Sequence, residues 1–163
     1  MMGRKTSVGG LVLLLVLAAV LAGCAGPRHK DRFKWDAIIA TMIKQKEVTG
    51  DSTFLDVRRV MPFGWEKLYI FPPHTPLEHI NQTLGFKWKK AKDTRIDERE
   101  DIALLVFVTG QTVSEYVEHP RSKGDFSLLK AAYPYTPDEA YFEVVAEPGE
   151  TEPLFVFVEA VRP

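Results

Sequence analysis

The distribution of hydrophobic positions divides the chain into a short N-terminal part and a long remainder. Arg4 and Lys5 come first, residues 8–20 form a hydrophobic run that includes two glycines, and residues 6–27 contain no charged side chain. A short apolar core behind positive residues is typical of a secretory signal peptide, whose charges stay in the cytosol. Residues 1–23 are therefore predicted to be a targeting segment and not part of the folded domain.

In the remainder, two amphipathic segments predict helices. In residues 32–46 the apolar positions recur at i, i+3, i+4, i+7 and i+8, which places them on one side of a helix. Residues 76–84 predict a second helix, opened by a capping box in which Thr75 and Glu78 satisfy backbone donors, and closed by Gly85. Residues 126–133 are a candidate third helix. The apolar side of the first helix consists of Trp35, Ile38, Ile39, Met42 and Ile43.

Short segments rich in β-branched and aromatic residues predict about six strands. The almost wholly apolar run at residues 102–108 indicates a strand buried on both faces, and Thr109 and Gly110 mark a tight turn after it. Short connections favour antiparallel pairing, so we expect an α+β domain: an antiparallel sheet of about six strands with two or three helices packed on it. The predicted strands are residues 53–59, 65–71, 102–108, 112–118, 141–146 and 154–161.

Composition limits what the domain can be. The chain has 163 residues and a net charge of −1, and loss of residues 1–23 would remove Arg4 and Lys5 but no acidic residue. A single domain over residues 32–163 fits that length. A slightly acidic domain offers no concentrated positive charge for nucleic acid. Cys24 is the only cysteine, so no intramolecular disulfide can form.

The residues around that cysteine carry a specific resemblance. Leu21, Ala22, Gly23 and Cys24 follow the apolar run directly, and this tetrad closely resembles the lipobox of bacterial lipoproteins. In that family a diacylglycerol is attached to the cysteine thiol, the chain is cut before it, and the new amine is usually acylated. The resemblance implies a signal peptide at residues 1–23 and a lipidated cysteine with a short tether at residues 24–31. The alternative is an uncleaved helix, because about 20 apolar residues can span a bilayer.

The lipobox also implies a location. Acyl chains such as palmitate would hold the exported protein in a membrane almost irreversibly, since each buried methylene contributes about 0.8 kcal/mol. Ala25 follows the cysteine, whereas an aspartate there typically retains lipoproteins in the inner membrane. Its absence implies the outer membrane, facing the periplasm, if the organism has two membranes.

A second, weaker resemblance lies in the domain itself. Residues 65–73, 116–121 and 124–126 are similar to patterns in small exported bacterial proteins of uncharacterised function. This resemblance implies no particular activity.

No combination of residues predicts metal binding or a cofactor. His74, Glu78 and His79 have an unsuitable spacing, since His74 precedes the helix and Glu78 belongs to the predicted capping box. The sequence holds no nucleophile elbow and no phosphate-binding glycine loop. Ser114 and Ser122 lie near His119 only along the chain, which does not make a catalytic triad. We therefore expect no catalytic residue, no metal and no cofactor.

Residues 87–92 alternate lysines with a tryptophan. Anionic lipid headgroups could attract such a segment. The simpler interpretation is a solvated loop whose charge is balanced by the acidic residues at 97–101.

The densest polar loop follows the predicted hairpin, and we expect any working surface there, beside Trp65 and Tyr69. The planar guanidinium of its arginine suits carboxylate or phosphate, and its histidine could change charge near neutral pH. The alternative is an ordinary connection that caps the next helix. The candidate binding residues of this loop are His119, Arg121, Lys123 and Asp125.

The leading hypothesis is a membrane-anchored envelope lipoprotein that serves as a non-catalytic binding or structural module. Its partners would be the bilayer, through acylated Cys24, and an envelope protein or polymer that the sequence does not identify. Two alternatives stay open: an envelope enzyme that uses the loop at residues 119–125, and a single-span membrane protein.

Overall fold

The structure is a computed structural model that describes residues 29–130, 133–149 and 152–163, with side chains from Lys34 onward. The predicted targeting segment and Cys24 lie outside the described residues. Within the described ranges, no helix combines the length and the apolar character that a membrane span requires.

The predicted α+β class, with six antiparallel strands, is confirmed. The strands form two sheets of three strands each, in the orders β1-β5-β6 and β2-β3-β4, and not one continuous sheet. Backbone bridges link the connecting segments to both sheets, joining Leu68 to Tyr135 and Asp125 to Val156. The elements in chain order are α1 (His29–Thr49), β1 (Thr53–Asp56), α2 (Val57–Val60), β2 (Lys67–Phe71), α3 (Leu77–Leu84), α4 (Ala91–Thr94), β3 (Ile102–Thr109), β4 (Thr112–Pro120), a 3-10 turn (Arg121–Lys123), β5 (Tyr141–Glu147) and β6 (Leu154–Glu159).

The central strand β3 of the sheet β2-β3-β4 is buried on both faces because it lies between two hydrophobic cores. Alternate residues of a strand point to opposite faces, so Leu105 and Phe107 of β3 enter the first core with residues of the other sheet. Leu104 and Val106 enter the second core, which α3 and α4 cover with Ile80 and Ala91. This arrangement explains why the run at residues 102–108 has no polar position.

Helix α1 packs against the first core. Its Trp35 and Ile39 are fully buried, as the apolar stripe predicted, and the helix extends at both ends beyond the predicted residues 32–46. It ends at Gly50, whose φ of 70° lies in the left-handed region that favours glycine. The Gly50 N–H donates to the carbonyl of Lys46 over 2.9 Å.

The capping-box prediction was wrong. The Thr75 hydroxyl donates to the Pro72 carbonyl over 2.6 Å, so it belongs to the turn before the helix, and Pro76 stands at the cap position. Glu78 accepts a hydrogen bond from Gln82, one turn further on. The closing residue was predicted correctly, since Gly85 has a φ of 76°.

Two other local predictions differ from the structure. The strand predicted at residues 53–59 ends at Asp56, and Val57–Val60 forms a helical turn. No helix follows Phe126 in the described part of residues 126–133. Instead, the Asp125 carboxylate accepts the Ser127 N–H over 2.8 Å, which closes a turn.

Candidate functional site

His119 is an internal residue and not part of a displayed surface. Its side chain is fully buried, and the Trp35 indole N–H donates to its Nδ1 over 3.1 Å. Because an indole nitrogen can only donate, Nδ1 must be an acceptor and Nε2 must carry the proton. Nε2 lies 2.9 Å from the carbonyl oxygen of Gly124, its acceptor. His119 therefore joins α1 to the loop that follows β4.

This environment also opposes a charge on His119. Burial is the main cause that lowers its pKa below the usual value, and it outweighs the nearby carbonyls and Asp36, which act in the opposite direction. The predicted placement of His119 on a surface is wrong, because its burial was invisible in the sequence.

The remaining polar residues of the loop are mainly engaged with one another. Arg121 donates from Nε to the Asp125 carboxylate over 2.8 Å and from Nη1 to the Glu100 carbonyl over 3.1 Å. Although burial opposes the ionisation of Asp125, the hydrogen bonds from Arg121 and Ser127 keep its pKa below the usual value. Lys123 is exposed. Most of the arginine's donors thus stabilise the loop.

The structure does not bring this loop next to Trp65 and Tyr69. Pro120 pairs with Ile102 at one end of β3, whereas Trp65 precedes β2, which begins opposite Val108 at the other end. Measured along β3 from Ile102, this places Trp65 roughly 20 Å away, and Tyr69, which pairs with Val106, roughly 13 Å away. Trp65 and Tyr69 are also buried, with 7% and 6% of their surface exposed. The predicted composite surface was therefore wrong.

The other sequence candidates are dispersed or covered. His74, Glu78 and His79 are exposed, and in the described ranges no three metal-ligating side chains come close enough to hold an ion. Trp88 is buried, with its ring 5.2 Å from that of Tyr116. It is therefore not available to stack on a ligand, although the lysines around it are exposed.

Two clefts lie beside the C-terminal residues, and Arg162 lines both. The first, which we call the tyrosine cleft, has a volume of about 480 Å³ and includes Lys130, Tyr133, Tyr135, Glu139 and Glu159. The second, which we call the arginine cleft, has a volume of about 520 Å³ and includes Ile38, Met42, Phe54, Arg58, Arg59, Val60 and Tyr141.

The tyrosine cleft contains a hydrogen-bonded network of complementary groups. Glu159 accepts from the Tyr135 hydroxyl over 2.6 Å and pairs with Lys130 over 2.9 Å. The Tyr133 hydroxyl donates to Glu139 over 3.0 Å. Burial and the neighbouring Glu159 raise the pKa of Tyr135, while hydrogen bonds from Lys130 and Tyr135 lower that of Glu159.

These pKa directions define what the tyrosine cleft can do chemically. Hydrogen bonds from Thr136 also lower the pKa of Glu139, so both carboxylates stay ionised and both tyrosines stay protonated at neutral pH. A general acid in a carboxylate pair needs a raised pKa. The network therefore orders this surface.

The arginine cleft is organised around Asp56 at the end of β1. Arg162 reaches its carboxylate with both terminal nitrogens, and Arg59 approaches it within 3.3 Å. Although burial opposes ionisation, Arg162 and Arg58 keep the pKa of Asp56 below its usual value. Arg58 itself pairs with Asp138 over 2.8 Å.

Arginine and aromatic groups meet at the wall of this cleft. The Arg162 guanidinium lies 4.9 Å from the centre of the Tyr141 ring, and the Phe54 ring stacks on Tyr141 at 5.3 Å with an angle of 9°. The Arg162 Nε is buried, yet no acceptor reaches it from the part of the chain that the structure describes. The cleft thus combines positive charge, flat aromatic surface and a hydrogen-bond donor for which the described residues supply no acceptor.

Sequence reasoning missed the arginine cleft because its members come from four separate segments. Ile38 and Met42 lie on α1, Arg58 and Arg59 follow β1, Tyr141 begins β5 and Arg162 lies near the C-terminus. Only the pairing of β1 with β5, which sets Asp56 opposite Tyr141, brings them together. Compared with known proteins, the chain matches no protein-family model, no curated protein and no solved structure. Its function has to be inferred from its own residues.

Proposed function

We propose that this protein is an exported bacterial lipoprotein whose α+β domain acts as a non-catalytic binding module at the membrane surface. The observation that carries the anchoring is the lipobox-like sequence ending in Cys24, behind a charge-free apolar run. Helix α1 begins at His29, so only residues 25–28 separate it from that cysteine. Even a fully extended tether of this length reaches roughly 15 Å, which keeps the domain close to the bilayer.

The arginine cleft supports binding as the activity. Three arginines line it together with the exposed Phe54 and half-buried aliphatic side chains, a combination that recognises ligands by charge and shape. The enzyme alternative with residues 119–125 as its site has less support. His119 is buried in contact with Trp35, and Arg121 is engaged with Asp125.

The anchoring is tested by Cys24→Ala in the full chain. We expect this variant to lose all incorporation of labelled palmitate and to retain residues 1–23, because no other cysteine can accept the lipid. The palmitate label in the membrane fraction measures lipid incorporation, and gel mobility measures retention of residues 1–23. Arg95→Gln, which changes an exposed side chain far along the chain, is the control and should be processed normally. Normal cleavage and labelling of Cys24→Ala would refute the proposed anchor.

A further inference from the structure

We propose that the arginine cleft binds an anionic amphiphile, namely the phosphate headgroup and adjoining hydrocarbon of an anionic phospholipid. The proposal rests on the proposed function in one respect, the source of the ligand, because an anchored domain would always have membrane lipid nearby. The chemical class of the ligand follows from the residues of the cleft alone.

The charge of the cleft favours an anion. Its charged side chains are those of Arg58, Arg59 and Arg162 and the carboxylate of Asp56, and Pro163, the last residue of the sequence, also lines it. The Arg59 side chain is 83% exposed, and its ion pair with Asp56 spans 3.3 Å. The partner of Arg58, Asp138, is 82% exposed, and such pairs contribute little. A phosphate can therefore recruit both arginines, whose planar donor groups match its oxygens.

The apolar lining favours an amphiphile over a simple ion. Ile38 and Met42 of α1 are half-buried in this cleft, and Phe54 keeps 42% of its surface exposed. Inorganic phosphate would leave these side chains in contact with water. Hydrocarbon next to a headgroup would cover them, and burial of apolar surface is favourable by about 25 cal/mol per Å².

The position of the cleft allows contact with lipid headgroups. Ile38 lies about 14 Å along α1 from His29, at 1.5 Å per residue. Together with the tether, this places the cleft within roughly 30 Å of Cys24. Tyr141, on which Phe54 stacks at its wall, is of a residue type enriched at membrane–water interfaces.

The test is a calorimetric titration of the full chain, solubilised in a neutral detergent. The probes are dihexanoyl phosphatidylglycerol, dihexanoyl phosphatidylcholine and inorganic phosphate. We expect saturable binding of the anionic lipid. Phosphatidylcholine should bind at least about ten-fold more weakly, because its choline cation is repelled by the arginines. Inorganic phosphate should also bind at least about ten-fold more weakly, because it covers no apolar surface. Equal binding of phosphatidylcholine would overturn the role of charge. Equal binding of inorganic phosphate would show a simple anion site and overturn the role of the hydrocarbon.

Two variants assign the binding to this cleft. Arg58→Gln/Arg59→Gln changes exposed side chains and should weaken binding of the anionic lipid by at least about ten-fold. Lys92→Gln/Arg95→Gln removes the same charge from an exposed region elsewhere and should bind normally. Unchanged binding by the first variant, or an equal loss in both, would overturn the proposal.

The failure of this inference and of the proposed anchor can be told apart. Cys24→Ala in the same detergent should bind the anionic lipid as the original chain does, because the cleft lies wholly within the described domain. Loss of binding in Cys24→Ala would contradict an independent site. Normal binding by both chains, together with absent lipidation of the original chain, would overturn the anchor alone.

Discussion

Replacing Phe107 with alanine is expected to lower the free energy of unfolding by about 3–5 kcal/mol. Phe107 lies fully buried on β3, the central strand of its sheet. Its ring makes edge contacts with Phe63 at 5.5 Å and Trp65 at 5.4 Å. The backbone of β3 is paired on both sides, so it cannot move to fill the cavity that the substitution would leave.

Urea denaturation measures this effect, and Phe54→Ala is the matched control. Phe54 also stacks on an aromatic ring, but it lies on the edge strand β1 and is 42% exposed. Its loss should therefore cost clearly less, on the order of 1 kcal/mol. Equal losses in the two variants would contradict the assignment of Phe107 to the core between the two sheets.

Acidification is expected to destabilise the domain through His119. Burial lowers the pKa of His119 in the folded state below its ordinary value of 6.5, so the unfolded chain binds the extra proton first. The stabilising contribution is then complete above about pH 6.5 and is lost as the pH falls toward the folded pKa. The loss reaches at most about 1.4 kcal/mol per pH unit. Protonation also places a hydrogen on Nδ1, where it opposes the N–H of Trp35.

Chemical denaturation between pH 7.5 and 5 tests this expectation. His119→Asn, whose amide oxygen can still accept from Trp35, should lose most of the pH dependence in this range. His74→Asn should keep it, because His74 is exposed. The other charged groups near His119 are Asp36 and Lys123, with opposite effects on its pKa. An identical pH profile for the original chain and His119→Asn would contradict the proposed cause.

The elements that follow from local pattern were predictable from the sequence. The apolar run at residues 102–108 indicated a strand covered on both faces, and β3 lies between two cores. The stripe containing Trp35 and Ile39 indicated the buried side of α1. In each case the residues of one segment are enough for the prediction, because burial of a helix or strand imposes a fixed spacing on its apolar residues.

The features that depend on distant pairing were not predictable. β1 pairs with β5 and not with β2, its neighbour in sequence, so the six strands form two sheets and not the single sheet that was predicted. The same pairing assembles the arginine cleft from separate segments. His119 looked exposed because its loop is polar, yet its ring is held by Trp35 from α1. A hydrogen bond between residues so far apart in the chain cannot be predicted from the local sequence around either of them.

The most direct test of the central claim, a domain anchored by lipid at Cys24, is the intact mass of the protein extracted from membranes of its own cells. The account predicts a chain that begins at Cys24 and carries the added mass of a diacylglycerol. A chain that still includes residues 1–23 and carries no acyl mass would contradict the account and leave an uncleaved membrane helix in its place.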